Sequence, residues 1–242
     1  MIFVENTCKN AAFHFSAEEF FVRHIKSNEP VLMLWQADKT VMLGNNQSAR
    51  AEVNLSYAEE SSIAIVRRSS GGGAIYTDSG TVLFSIIEPV YDEMTIHREN
   101  VAAIIIEALV KMNVPAYRDG RNDILADGRK FSGLAQYSSG GMICTHGSLL
   151  FDTDLETLTK VLIPDKKKLQ PKGISSIRSR VGNIKPYISG DLNADEFMQM
   201  LKNNLLHKKD FTTYNFNDND LIEINKINEE KYSSNDWNFR IG

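Results

Sequence analysis

The stretch richest in possible chemistry is Arg67-Arg68-Ser69-Ser70-Gly71-Gly72-Gly73-Ala74-Ile75-Tyr76. Three successive glycines allow positive φ and let backbone N–H groups come close to a ligand. Such a turn can form a nest for an anion, and two arginines at its entrance add fixed positive charge. It is not a P-loop, because no Gly-Lys-Ser/Thr follows the glycines, and the β-type run after it excludes the dinucleotide fingerprint. A plain hairpin with a solvated arginine pair stands beside the anion-binding reading.

A second group runs from Gly120-Arg121-Asn122-Asp123-Ile124 to Arg129-Lys130-Phe131-Ser132-Gly133. Asp127-Gly128 is a tight-turn signal, so the segments on either side should pair and bring Asp123 near Lys130. A carboxylate can hold Mg²⁺, and a lysine can stabilise charge developing on a phosphoryl or carboxylate oxygen. A surface ion pair across a hairpin is the bland alternative. A third basic feature, Asp165 to Lys185, carries Lys166, Lys167, Lys168, Lys172, Arg178, Arg180 and Lys185 against one acid. It reads as a solvated face or as a basic loop over an anionic ligand.

These residues need a scaffold. Val31–Trp35 and Thr40–Leu43 read as the two arms of a hairpin, and Ser62–Val66 and Thr81–Ile87 as buried strands. Lys130–Tyr137 and Met142–Phe151 add two more. Helices are expected over 99–113, with Val101, Ile105, Ala108 and Met112 on one face, over Ala194–His207 and over Asp220–Lys231. Hairpin-linked strands with helices in blocks predict an α+β fold with a mixed or largely antiparallel sheet. In the last 30 residues Leu221, Ile222, Ile224, Ile227, Trp237 and Phe239 are expected to pack. The whole of 1–242 is therefore read as one domain, with about 208–242 as a docked helical extension.

At 242 residues, net charge −4 and two cysteines, the chain excludes whole function classes. Non-specific nucleic-acid binding needs a basic excess. The longest apolar stretch, Val101–Ile106, is far short of the roughly 20 residues that span a bilayer, so no membrane partner is expected. Cys8 and Cys144 make no disulfide framework and no C-x-x-C pair. A reduced compartment is expected: the cytoplasm, or the mitochondrial matrix in a eukaryote.

Taken together and in this order, the glycine loop, the Gly120–Ile124 and Arg129–Gly133 blocks, His146-Gly147-Ser148-Leu149-Leu150-Phe151 and Lys172–Val181 resemble the lipoate–protein ligase A family. Trp35-Gln36, Thr40–Gln47 and Glu229–Tyr232 with Trp237–Phe239 extend the match over essentially the whole chain. The resemblance implies a fold shared with biotin protein ligases and class II aminoacyl-tRNA synthetases. It implies that lipoate and ATP, with Mg²⁺, give lipoyl-AMP. The lipoyl group then passes to a lysine of an acceptor domain, in a 2-oxoacid dehydrogenase E2 subunit or the glycine cleavage H protein. By the same resemblance Lys130 is the catalytic residue. Arg68, Gly73, Ala74, Ile75, Tyr76, Asn122, Asp123 and Lys130 would bind ATP or the adenylate, with Asp123 also holding Mg²⁺. Phe15, Trp35, Arg68, Ser70, Gly71, Gly72, Gly73, Thr77, Lys130, Gly133, Ala135 and His146 would bind lipoate.

The sequence departs from the family pattern in four places. Thr77 stands where the family usually has His, Thr81 where many members have Asn, Asn45 where they have Arg, and Thr145 where they have a first His. Many members also carry a small C-terminal accessory domain, which some archaeal ones supply as a separate polypeptide. The rival functions are transfer from preformed lipoyl-AMP and a cysteine-dependent acyltransferase on the same fold. A further rival is a lipoyl-domain binder without catalysis.

Overall fold

The computed structural model describes residues 1–25, 27–163, 180–207 and 210–240. An eight-stranded mixed sheet forms the centre, in the order β11-β1-β2-β6-β10-β9-β8-β7. Its core strands are β2 (Val31–Trp35), β6 (Thr81–Pro89), β9 (Arg129–Ser139) and β10 (Met142–Leu150). Pairing is antiparallel from β2 through β6, β10 and β9 to β8 (Asp123–Ala126) and β7 (Tyr117–Asp119). The mixed character comes from β1 (Ile2–Val4), which lies parallel both to β2 and to β11 (Thr212–Tyr214). A second, three-stranded sheet has the order β4-β3-β5, from β3 (Thr40–Leu43), β4 (Ala64–Arg67) and β5 (Ile75–Thr77).

Both faces of the sheet are covered at its central strands β2 and β6, which are therefore apolar on both sides. Leu32, Leu34, Val82, Phe84 and Ile86 face one way. They join a core with Val101, Ile105 and Leu109 of α4 (Met94–Val110) and Phe197 and Leu201 of α6 (Ala194–Leu206). Val31, Met33, Trp35, Leu83 and Ile87 face the other way, onto Phe15, Phe20 and Phe21 of α1 (Ala11–His24) and Ile224 of α7 (Asp218–Ile227). The shorter helices are α2 (Ala49–Glu52), α3 (Leu55–Glu60), α5 (Leu155–Val161) and α8 (Asn235–Asn238). Helix starts follow local chemistry. The Asn10 side chain accepts from the N–H groups of Ala12 and Phe13, and Asn193 with Glu196 forms a reciprocal capping box.

The predicted α+β class and mixed sheet are as observed, and the strands expected over 62–66, 81–87, 130–137 and 142–151 form at 64–67, 81–89, 129–139 and 142–150. One pairing is corrected: Val31–Trp35 and Thr40–Leu43 are not a hairpin. β2 has both edges filled by β1 and β6, while β3 pairs with β4 and β5 in the other sheet. Helix α4 begins at Met94, five residues before the expected start, with Val101, Ile105, Ala108 and Met112 buried as foreseen. Near the C-terminus Ile224 and Ile227 pack, but Ile222 is exposed, because α7 turns only one face to α1, and Phe239, past the end of α8, is exposed as well. Of the basic run, Arg180 and Lys185 lie among the described residues; 164–179 lies outside them. Among the described residues no helix is long and apolar enough to cross a membrane.

Candidate active site

A cavity of about 570 Å³ opens between the glycine loop and the β8–β9–β10 surface. Gly72–Tyr76 line it together with Asn122, Asp123, Lys130, Gly133 and Ala135. Phe15, Trp35, Met42 and Leu83 contribute its apolar wall, and His146 sits among them. A polar mouth with an apolar depth suits a ligand that is anionic at one end and aliphatic at the other.

The loop is shaped by two arginines with different tasks. Arg67 is fully buried and points away from the cavity. Its Nη1 donates to the carbonyls of Gly44 (3.0 Å) and Gln47 (2.5 Å). Its Nε and Nη2 donate to the carbonyls of Trp237 (2.9 Å) and Asn238 (2.8 Å). Arg67 therefore staples the segment around α8 onto β4. Arg68 braces the loop itself: Nη2 donates to the carbonyls of Gly71 and Gly73, each at 2.8 Å, and Nη1 to that of Met42 at 2.9 Å. In a planar trans peptide the N–H points opposite to the C=O, so the N–H groups of Gly72 and Ala74 point away from the guanidinium. Burial lowers the Arg68 pKa to about 10, against the attraction of Glu18, so the side chain remains a cation at neutral pH. Of the three glycines only Gly72 takes positive φ, at +95°. The loop is close-fitting there: a Cβ on Gly44 would stand 2.2 Å from the Gly72 carbonyl oxygen.

Behind the apolar wall runs a buried polar chain. Arg68 Nε donates to Ser70 Oγ (2.9 Å), which lies 2.6 Å from His146 Nε2. His146 Nδ1 faces the Glu18 carboxylate at 2.9 Å. Ser85 donates to that carboxylate (2.5 Å) and accepts from Trp35 Nε1 (3.1 Å). A carboxylate on one side calls for a proton on Nδ1, leaving Nε2 to accept from Ser70. Trp35 and His146, both on the cavity, are thus orientated by groups that do not reach it.

The catalytic candidates lie on the hairpin. Asp127 (φ 47°) and Gly128 (φ 75°) make the tight turn between β8 and β9. A register shift between Ile124 and Leu125 places Asp123 opposite Gly133, not opposite Lys130. The carboxylate reaches Lys130 along the strand, with Oδ1 2.7 Å from Nζ. The lysine arm passes over Gly133, where a Cβ would stand 3.0 Å from Nζ. The backbone of Lys130 is held by the 180–182 segment: its N–H donates to the Arg180 carbonyl, and its carbonyl accepts from Gly182 N–H. Among the described residues Asn122 Oδ1 is buried without a hydrogen-bond partner, so this part of the cavity offers both a carboxylate and an amide oxygen. Those are the oxygen donors a hard cation takes.

Most of the expected site residues meet on this cavity: Phe15, Trp35, Arg68, Gly72, Gly73, Ala74, Ile75, Tyr76, Asn122, Asp123, Lys130, Gly133, Ala135 and His146. Three lie off its lining. Ser70 is buried behind it on His146, Gly71 is exposed, and Thr77 is buried on β5 with Oγ1 3.4 Å from the Thr40 carbonyl. Sequence reasoning missed Glu18 and Ser85; a Glu pair, Glu18-Glu19, among the aromatic residues of α1 and a Ser inside an apolar strand were the available signals. It also gave no role to Arg121, which lines the cavity with Arg180. Cys144 is fully buried, and burial followed by the Glu18 carboxylate pushes its thiol well above the usual range. That is the opposite of what an acyl-carrying thiolate needs.

The lipoyl protein ligase A/B catalytic domain family model matches residues 10–206. Lipoate-protein ligase LplJ of Bacillus subtilis is 34% identical over 243 residues, spanning 99% of this chain and 73% of its own. Among solved structures, a bi-partite lipoate protein ligase from Thermoplasma acidophilum, determined in a study that includes its E2 lipoyl domain, superposes with a TM-score of 0.86 at 26% identity. The match covers 100% of this chain and 96% of that one. Lipoate-protein ligase A bound with ATP gives a TM-score of 0.84 at 25% identity, covering 100% and 98%.

Proposed function

The chain belongs to the lipoyl protein ligase A/B catalytic domain family, and on that premise we propose how its residues carry out lipoate–protein ligation. The enzyme is a lipoate–protein ligase that uses ATP and lipoate and acts on a lipoyl-acceptor domain. In the first step a lipoate carboxylate oxygen attacks the α-phosphorus of ATP. The bond from that phosphorus to the bridging oxygen breaks, pyrophosphate leaves, and lipoyl-AMP remains. Two anions must meet for this, and Lys130 with Arg68 offsets their repulsion. The N–H groups of Gly72 and Ala74 receive anionic oxygens. Phe15, Trp35 and Leu83 hold the aliphatic tail and exclude water from the anhydride.

In the second step the amine of the acceptor lysine attacks the lipoyl carbonyl. The carbonyl–oxygen bond to AMP breaks, AMP leaves, and the amine proton goes to solvent. Lys130 polarises the carbonyl as charge develops on its oxygen. Asn122 and Asp123 would hold Mg²⁺, which supplies Lewis-acid neutralisation of phosphate charge when bound. The acceptors we propose are E2 lipoyl domains and the glycine cleavage H protein, with the cytoplasm as the compartment.

The observation that supports this reading best is the single cavity that joins the Lys130 ammonium, the braced glycine loop and an apolar depth. The test is mass spectrometry of an apo-lipoyl domain incubated with the protein and either lipoate plus ATP or synthetic lipoyl-AMP. Both donors should add one lipoyl group. Modification from lipoyl-AMP alone would reassign the chain to the transferase reading, and modification from neither would refute catalysis. The same assay in the presence of iodoacetamide should be undiminished, since no thiol carries the acyl group.

A further inference from the structure

We propose that Glu18, Cys144 and His146 form a transition-metal site between α1 and β10, with the donor chemistry of Zn²⁺. The three ligand atoms lie within 4.8 Å of one another, and all three residues are buried. Cys144 and His146 are two apart on one strand, so their side chains leave the same face of β10. Glu18 meets them from the helix above. One sulfur, one imidazole nitrogen and one carboxylate oxygen make a set that a borderline-soft dication takes in four-coordinate geometry. A thiolate and a carboxylate together neutralise two positive charges, so the filled site carries no net charge into the interior.

The surroundings complete the site. An ion on His146 Nδ1 replaces the 2.9 Å contact with Glu18 and leaves the ring proton on Nε2, 2.6 Å from Ser70 Oγ. Glu18 Oε1 keeps its bond from Ser85. Both ligands therefore have the outer partners that fix a metal ligand's orientation. Tyr137 stands opposite Cys144 on β9, and its buried hydroxyl contacts the thiol, which puts a further oxygen beside the site. On binding, the Cys144 S–H bond is exchanged for a sulfur–metal bond and one proton is released to solvent. The ion would tie α1 to the central strand directly behind the cavity wall that His146 forms. This inference stands apart from the ligase reading.

The experiment is titration of chelator-stripped protein with Co²⁺, followed by displacement with Zn²⁺. One equivalent of Co²⁺ should give a thiolate-to-cobalt charge-transfer band and tetrahedral d–d bands, both abolished by Zn²⁺. Cys144→Ala should lose the charge-transfer band and bind at least tenfold more weakly, whereas Cys8→Ser should match the parent. In case Cys144→Ala folds poorly, X-ray absorption of the Zn²⁺-loaded parent should show one sulfur at about 2.3 Å with nitrogen or oxygen at about 2.0 Å. A zinc shell without sulfur, a band that survives Cys144→Ala in folded protein, or no stoichiometric uptake would overturn the site.

Discussion

Replacing Lys130 with alanine should separate catalysis from stability. The side chains of Lys130 and Asp123 are 37% and 32% exposed, and their contact is 2.7 Å. An ion pair so open to water is worth about 0–1 kcal/mol. For a chain of this size each kcal/mol moves the melting temperature by about 2–4 °C, so the variant should melt within a few degrees of the parent. The effect on the reaction is larger, because the ammonium acts on charge that develops inside the cavity. Removing one such preorganised donor costs about 2.7–4 kcal/mol, or roughly 10²–10³ in rate. The assay is pyrophosphate release from lipoate and ATP, paired with transfer from preformed lipoyl-AMP, since Lys130 is assigned to both steps. Asp123→Asn is the control: it removes the partner and keeps the ammonium, so transfer should fall less. Rates within about threefold of the parent in both steps, from folded protein, would refute the assignment.

Further outcomes follow from single contacts. Gly133→Ala should leave the melting temperature nearly unchanged but slow both steps, because the new methyl displaces the flexible end of Lys130, 3.0 Å away. Arg67→Ala should cost about 3–5 kcal/mol in urea unfolding, since several buried carbonyls lose their donor at once; a loss under about 1 kcal/mol would show that water replaces the guanidinium. His14 should make the protein acid-sensitive. Its ring is buried and stacked on Trp35 at 4.3 Å, and burial lowers its pKa to about 4. The unfolded chain therefore takes up a proton near pH 6.5 that the folded one refuses. This stability is present above that pH and lost as the pH falls towards 4, up to about 3 kcal/mol. His14→Phe should flatten that part of the stability profile, and an unchanged profile would count against the neutral buried ring.

Much of the site was legible because its chemistry sits in short, contiguous blocks. The glycine loop, the Asp127-Gly128 turn and Lys130 each announce themselves through local backbone demands. The strands at 81–89 and 142–150 were visible as apolar runs, and α4 through its 3.6-residue periodicity. Glu18 and Ser85 were not legible. Glu18 sits beside Glu19 in α1 and Ser85 within an apolar strand, and only the packing of α1 on β6 and β10 shows that they share a buried hydrogen bond. The hairpin assigned to Val31–Leu43 failed for a related reason: two strands close in sequence pair only if neither finds a better edge, and β1 and β6 supply one.

The amino-acid sequence alone determined the class of fold, the family and the residues able to meet an anionic ligand. Residue type, turn chemistry and periodicity act over a few positions and can be read from those positions. Tertiary structure alone decided that Arg67 clamps the C-terminal segment while Arg68 props the loop. It also decided that Asp123 reaches Lys130 along the strand and that His146 is held from behind by Glu18. The Arg67 and His146 contacts join segments more than a hundred residues apart, and even the short-range Asp123–Lys130 pair turns on a register shift, because a hydrogen bond or an ion pair depends on where two atoms lie in space.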